Sequence, residues 1–267
     1  MAGMESAFPV ARMRELDGAT ELAAATAVAA STTRPEAVTA VLSAMLDTLG
    51  GEPATPDVLR ALPCGTREWL LQCAAARLNP ALRWFEALCR HCGKPFDLSI
   101  DLSRPVTRVP DNGTPSVTVE TSLGARSFTI PTGEHEERLA CAGVSADPRR
   151  DFACFCGLSP SAGEDAKQFD EHDLQLIDEA LESASPDIAD EATARCPACL
   201  AETTCRVDPL LFAFPRENDI LLEVHLLASA YGWRHDAILK LPSRHRTAYA
   251  AMITRERRGF RQIQERR

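Results

Sequence analysis

Apolar residues near the C-terminal end of the chain recur at helical spacing. A first stripe, at intervals of three and four, contains Ile220, Leu221, Val224, Leu227, Ala228 and Tyr231. A second apolar face holds Leu222, Leu226 and Trp233. Because both faces are apolar, we expect this helix to be buried between neighbours, with His225 hydrogen-bonded inside the core. Gly232 stands where a left-handed residue would end the helix.

The same pattern predicts two further helices after that glycine. A short one begins at Ile238, and Pro242 suits the first turn of another. On the last helix the apolar face comprises Ala248, Tyr249, Met252 and Ile253, whereas the residues expected to reach solvent are Arg244, Arg246, Arg255 and Arg257. We therefore expect a C-terminal clip, residues 215–267, with a basic rim.

Earlier in the chain both periodicities occur. Pro35 and Glu36 open a predicted helix over residues 35–49, and another follows Thr66. Alternating apolar residues predict a strand over 96–102 and a strand pair at 116–120 and 126–130. The fold class predicted is α+β, mainly helical, with a small zinc-ribbon-like β module.

Changes in these patterns divide the chain into six segments. They are a flexible Ala-rich leader (1–34), an N-terminal helical region (35–85), the first half of the β module (86–133), an acidic helical insertion (134–193), the second half of the β module (194–214) and the C-terminal clip (215–267). The insertion carries eleven acids and a single lysine between Glu164 and Glu191, at helical spacing and without a calcium-type loop. We interpret those acids as a solvated helix face.

Charge adds an asymmetry to this division. The net charge is −9 and the pI about 5.2, yet residues 234–267 hold ten Arg or Lys against three acids. The net charge of that tail is therefore +7 and that of the preceding chain −16. The basic tail could bind an acidic protein surface or nucleic acid, or it could merely be a solvated helix. No run approaches the roughly 20 apolar residues of a membrane span, and no membrane partner is expected.

The cysteines introduce the first specific chemistry. Cys89-x-x-Cys92 and Cys196-x-x-Cys199 are tight turns of the kind that points two thiolates at one metal. Together they predict a shared tetrahedral structural Zn²⁺, although 103 residues separate Cys92 from Cys196, far more than in a compact ribbon. Residues 93–195 would then be a folded insertion that returns to its starting point, at a loop-closure cost that grows only logarithmically with length.

Other arrangements of the ten cysteines stay open at this stage. The two knuckles could be unrelated pairs, a vestigial site or a disulfide. Cys154, Cys156 and Cys205 are further candidate ligands, and His91 lies within the first knuckle. Cys64, Cys73 and Cys141 are interpreted as small buried apolar residues.

The sequence offers little for catalysis. Four thiolates leave no vacancy for a substrate, and phosphate loops, nucleophile elbows and metalloprotease helices are missing from the sequence. His135 and His172 stand among acids without an evident positioned partner. We expect no enzyme and no small-molecule substrate.

Taken in order, these motifs resemble one family. The most specific are Glu-Val-His-x-Leu-Ala-x-x-Tyr-Gly-Trp (223–233), Ile-Leu-x-Leu-Pro-x-x-x-Arg-x-x-Tyr (238–249) and Cys-Pro-x-Cys (196–199). Over roughly residues 36–255 the chain is similar to the baseplate and hub assembly proteins of T-even-type phages and of phage-tail-like contractile injection systems. The family's arginine-rich motif matches Arg244-His245-Arg246, but here the middle residue is histidine. A second departure is that Cys199 is followed by Leu200 and not by glycine.

The resemblance implies a non-enzymatic baseplate or hub component, or an assembly factor, that acts in the cytoplasm and is either transient or part of the finished particle. Its partners would be baseplate, hub or spike subunits, contacted through Arg244, Arg246, Tyr231, Trp233 and Tyr249. The alternative is a zinc-ribbon nucleic-acid-binding protein that uses the basic C-terminal helices. The acidic pI argues against that alternative.

Overall fold

The computed structural model describes residues 8–78, 83–102, 107–108, 115–143, 147–188 and 190–264. Within these ranges the chain is α+β, as predicted. The helices are α1 (Gly18–Ala30), α2 (Arg34–Met45), α3 (Pro56–Arg60), α4 (Cys64–Leu78), α5 (Gly133–Ala142), α6 (Pro148–Cys156), α7 (Ala162–Gln168), α8 (Glu171–Ala184), α9 (Pro209–Phe212), α10 (Glu217–Tyr231), α11 (His235–Leu239) and α12 (Ser243–Gln264).

The strands form several small antiparallel sheets rather than one large sheet. They are β1 (Ala11–Met13), β2 (Leu46–Leu49), β3 (Glu52–Pro53), β4 (Arg83–Leu88), β5 (Pro95–Ile100), β6 (Thr107–Arg108), β7 (Ser116–Thr121), β8 (Gly124–Thr129), β9 (Asp187–Ile188), β10 (Glu191–Arg195) and β11 (Glu202–Arg206). β1, β2 and β3 form one sheet, and the others pair as β4–β5, β6–β9, β7–β8 and β10–β11.

An N-terminal core joins α1, α2, α4 and the β1–β3 sheet. The Thr33 hydroxyl accepts a hydrogen bond from the Glu36 N–H while the Glu36 carboxylate accepts one from the Thr33 N–H, a reciprocal cap that starts α2. The predicted helix ends at Met45 instead of residue 49, because Leu46–Leu49 pairs with β1 as a strand.

The prediction of a flexible leader is wrong for the described part of residues 1–34. Residues 1–7 lie outside the described ranges, but residues 18–30 form α1, which packs against α2. Ala24 and Ala25 are buried in that contact. Alanine faces give little apolar periodicity, yet their small side chains allow two helices to approach closely, which explains the missed element.

A second core lies in the middle segment, where the predicted strand pair is confirmed as β7 and β8. Helices α5 to α8 confirm that the acidic insertion is mainly helical. Two of its acids are not solvated, however. The buried Asp173 carboxylate accepts hydrogen bonds from the N–H and hydroxyl of Ser122, and Asp165 pairs with Arg126 at 2.8 Å.

The C-terminal clip is formed by α10, α11 and α12 around a small third core. Gly232 takes a φ of +68° and ends α10, as predicted. The expectation that both apolar faces of α10 are buried is wrong, since Leu222 is 56% exposed and His225 is exposed as well. Within the described structure Ile220, Val224 and Leu227 are buried on α10, and Leu226 and Ala228 are partly covered.

No helix in the described ranges combines the length and the apolar content that crossing a membrane requires.

Candidate metal centre

The two Cys-x-x-Cys knuckles lie at the tips of two β-hairpins. The first turn connects β4 to β5, and the second connects β10 to β11. In both, the carbonyl of the first cysteine accepts a hydrogen bond from the residue that follows the second cysteine: Gly93 to Cys89 at 2.9 Å and Leu200 to Cys196 at 2.9 Å. The two hairpins therefore present their thiols in the same way.

The fold brings all four thiols together. Their sulfur atoms lie within 4.8 Å of one another, with Cys89 Sγ 3.7 Å from Cys199 Sγ and Cys92 Sγ 3.8 Å from Cys196 Sγ. A tetrahedral ion with metal–sulfur bonds of about 2.3 Å would hold its ligands about 3.8 Å apart. The predicted four-cysteine cluster is thus present, with distances that fit a metal ion.

The electrostatics of the cluster also favour a cation. The backbone N–H groups of Cys92 and His91 donate to the Cys89 sulfur and lower the pKa of that thiol to about 6. The N–H of Ala201 favours the Cys199 thiolate, but desolvation and the three neighbouring sulfurs raise the pKa of Cys199 to about 12. One thiolate forms readily and the last is opposed by its neighbours, and a cation at the centre of the four sulfurs would favour the fully deprotonated set.

Contacts beyond the sulfurs hold the two hairpins side by side. The Arg90 N–H donates to the Thr203 hydroxyl at 3.2 Å, and His91 Nε2 lies 3.0 Å from the Glu202 carbonyl. Beneath the turns Phe96 and Cys205 are buried in a small core with Cys89 and Cys196. His91 therefore bridges the hairpins and is not among the clustered ligands.

The remaining cysteines stand apart from the cluster. Cys205 packs in the core below it, and Cys156 is buried in the middle core, where desolvation raises its pKa to about 12. Burial also raises the pKa of Cys73 to about 11. Cys141 was expected to be buried, but it is exposed at the end of α5. Among the described residues only the four knuckle cysteines form a group of potential metal ligands.

Leu200 adopts the same left-handed backbone as its counterpart Gly93. Its φ is +62° and that of Gly93 is +68°, so the second knuckle keeps the turn geometry without glycine. A left-handed backbone costs leucine roughly 1–2 kcal/mol. Replacing this leucine with glycine removes that cost, but glycine has more conformational freedom in the unfolded state, which cancels about half of the gain in stability.

We therefore expect Leu200→Gly to stabilise the second knuckle by up to about 1 kcal/mol, which corresponds to roughly fivefold tighter metal retention. Competition with a chromogenic chelator measures the change. Gly93→Leu is the matched control and should shift metal retention in the opposite direction. Equal signs for the two variants would contradict this account of the turn.

Arg246, predicted to face a partner, is buried instead. Only 1% of its side chain is exposed, and its guanidinium pairs with the buried Glu21 of α1 and with Glu223 of α10. It also donates to the Leu241 carbonyl at 3.0 Å. Arginine-rich spacing alone could not reveal this, because Glu21 is 225 residues distant in sequence. Arg246 is thus a structural cation that ties α1 to the clip.

The other predicted partner residues form a surface. The rings of Tyr231, Trp233 and Tyr249 contact one another with centroids 4.9 to 6.0 Å apart. Tyr231 is 42% and Trp233 38% exposed, and Arg244 is exposed on the neighbouring α12. We refer to the three aromatic residues as the aromatic surface.

His135, one of the two histidines that stand among acids in the sequence, has a local structural contact. His135 Nδ1 accepts a hydrogen bond from the Thr132 N–H at 3.1 Å at the start of α5. Partial burial lowers the pKa of His135, which favours the neutral ring that can accept this bond. The arrangement explains the residue as part of a helix cap.

No protein-family model, curated protein or solved structure matches this chain. The functional interpretation therefore depends on the thiol cluster and on the surfaces around it.

Proposed function

We propose that this chain is a non-enzymatic connector, acting as a baseplate or hub component, or as an assembly factor, of a contractile phage tail or phage-tail-like injection system. The observation that carries the proposal is the cluster of four sulfurs, which lie together although the two knuckles are more than 100 residues apart in the sequence. We infer the contractile tail or injection system from the family resemblance, and the connector role from the cluster.

Zn²⁺ is the ion we propose for this cluster. Four tetrahedral thiolates select Zn²⁺ or iron, and a pair of Cys-x-x-Cys knuckles on hairpin tips is typical of structural zinc modules. A bound zinc would have its coordination filled by Cys89, Cys92, Cys196 and Cys199. Because no position stays open for water or substrate, its contribution would be to hold the hairpins in one relative orientation.

Docking to other subunits would use the C-terminal clip. Aromatic residues and arginine contribute most to protein interfaces. Tyr231 and Trp233 are exposed and in mutual contact, and Arg244 is exposed elsewhere on the same clip. An acidic surface on a baseplate, hub or spike subunit would complement the basic rim. Arg246 has no part in this docking, since it is buried.

Nucleic-acid binding is the competing proposal. Arg244, Arg255 and Arg257 are exposed along α12 and could contact phosphates. The acidic remainder of the chain would repel the same polyanion, so we favour protein docking.

Purification of the tagged chain with sheath, tube, hub and spike subunits encoded by neighbouring genes tests the proposal. We expect at least one of these subunits to be retained, and Trp233→Ser with Arg244→Glu to weaken that binding at least tenfold. Leu158→Ser, which changes an exposed apolar residue outside the C-terminal clip, serves as the control and should have no effect. Failure to retain any such subunit, together with salt-sensitive binding to plain duplex DNA, would favour the alternative.

A further inference from the structure

A groove of about 640 Å³ lies beside the metal centre, between the two hairpins. It is bounded by β4, β11 and α9, and includes none of the four knuckle cysteines. The lining residues that matter most are Phe85, Phe212, Leu211, Arg90, Arg206 and Arg216. The groove is therefore separate from both the sulfur cluster and the aromatic surface.

Two open strand edges border this groove. β4 pairs only with β5, and β11 only with β10, within the ranges that the structure describes. Each strand thus keeps one edge whose backbone N–H and C=O groups have no strand partner. Such edges are templates for the addition of another extended chain.

The floor of the groove is apolar. Phe85 stacks on Phe212 with ring centroids 4.9 Å apart, and Ala87 and Cys205 are buried beside them. On the outer side Leu211 is 78% exposed. A strand added here would bury every second side chain against this floor.

The charges around the groove are mainly positive. Arg90 and Arg206 form only exposed ion pairs, at 3.6 Å with Glu191 and at 3.3 Å with Asp190. Pairs of this kind contribute little and can exchange partners. Arg216 is exposed and has no ion-pair partner among the described residues.

The acids of the groove offset this charge only in part. Asp208 is engaged by Arg34, with Arg34 Nε 2.8 Å from its carboxylate. Glu86 is therefore the one lining carboxylate that is not already paired within the described chain. The lining thus holds three guanidinium groups and two carboxylates, and the exposed ion pairs of Arg90 and Arg206 can exchange their present acids for those of an acidic occupant.

We propose that this groove binds an extended acidic segment of a partner protein, which adds as a strand between β4 and β11. Apolar side chains of the segment alternate with acidic ones. The apolar set covers Phe85 and Phe212, and the acidic set pairs with Arg206 and Arg216. The proposal applies whether or not the partner belongs to a contractile tail.

The experiment uses the full-length, metal-loaded protein and a fluorescein-labelled ten-residue peptide of alternating valine and aspartate. We expect it to bind at least tenfold more tightly than the matching valine–lysine peptide. Methylation of alternate backbone nitrogens, which removes the strand hydrogen bonds, should abolish binding. Amide exchange should slow at residues 85–88 and 204–206 when the acidic peptide is added.

Charge reversal locates the site. Arg206→Glu with Arg216→Glu should weaken binding of the acidic peptide at least tenfold, whereas Arg244→Glu with Arg255→Glu, the same change on α12, should leave it unaltered. Circular dichroism and metal content verify that both variants are folded. The proposal is overturned if the two peptides bind equally, if methylation has no effect, or if the two charge reversals weaken binding equally.

Two other occupants would also overturn it. Stronger binding of a ten-nucleotide deoxythymidine oligomer at the same arginines would identify a nucleic-acid groove. If the protein forms a dimer, and the double substitution Arg206→Glu with Arg216→Glu dissociates it, a second copy of the chain fills the groove.

Discussion

Cys196→Ser combined with Cys199→Ser should release about one zinc ion per chain and expose both hairpins. Structural zinc contributes roughly 10–16 kcal/mol of binding free energy, comparable to the whole unfolding free energy of about 5–15 kcal/mol for a typical domain. Among the described residues, the other contacts that join the hairpins are the Arg90–Thr203 and His91–Glu202 hydrogen bonds, the exposed Arg90–Glu191 ion pair and a small core. We therefore expect amide exchange in residues 83–100 and 191–206 to accelerate at least 100-fold.

Elemental analysis and hydrogen exchange test this expectation. Cys141→Ser with Cys154→Ser is the matched control, because it removes two thiols outside the cluster and should change neither measurement. Visible absorption of the purified wild-type protein distinguishes iron–thiolate bonding from colourless zinc. Unchanged metal content in the Cys196 and Cys199 variant would refute the shared site.

The second large effect concerns Arg246. Arg246→Ala leaves Glu21 as a buried carboxylate without its cation, and removal of one partner from such a pair costs about 3–5 kcal/mol. Glu223 loses a partner as well. We expect α1 to detach from the clip before the rest of the protein unfolds, so residues 18–30 should show early loss of exchange protection in urea.

A comparison within the same helix isolates the effect of burial. Arg244→Ala removes an arginine two residues away that is exposed, and it should change the unfolding free energy by less than about 0.5 kcal/mol. Combining Glu21→Met with Arg246→Met should restore part of the loss, since the buried charge is then removed together with its partner. Equal costs for the Arg246 and Arg244 substitutions would contradict the buried ion pair.

Local sequence was sufficient to predict the features that depend on neighbouring residues. The Cys-x-x-Cys spacing specifies each knuckle turn, and Pro35 with Glu36 marks the first turn of α2. Gly232 was recognised as a helix end because only a residue that tolerates positive φ suits that position. The four-cysteine cluster was predicted from the similarity of its two halves.

Apart from the thiol cluster, features that depend on distant residues were missed. α1 buries alanines, whose weak hydrophobicity gives no clear stripe, and its only buried charge finds its partner in α12. Leu222 has the spacing of a core residue, yet no described element covers it. Leu46–Leu49 continues the apolar pattern of α2, but the edge of β1 draws it into a sheet. In each case the deciding contact lies outside the local window.

The pairing of Glu21 with Arg246 also constrains the order in which the protein matures. The two residues are 225 positions apart, so a ribosome that adds about 5–20 residues per second needs roughly 10–45 seconds to supply the arginine after the glutamate. Throughout that interval α1 lacks the cation that neutralises its buried acid. Docking of α1 onto the C-terminal clip is therefore among the last steps of biogenesis, after both halves of the thiol cluster have been synthesised.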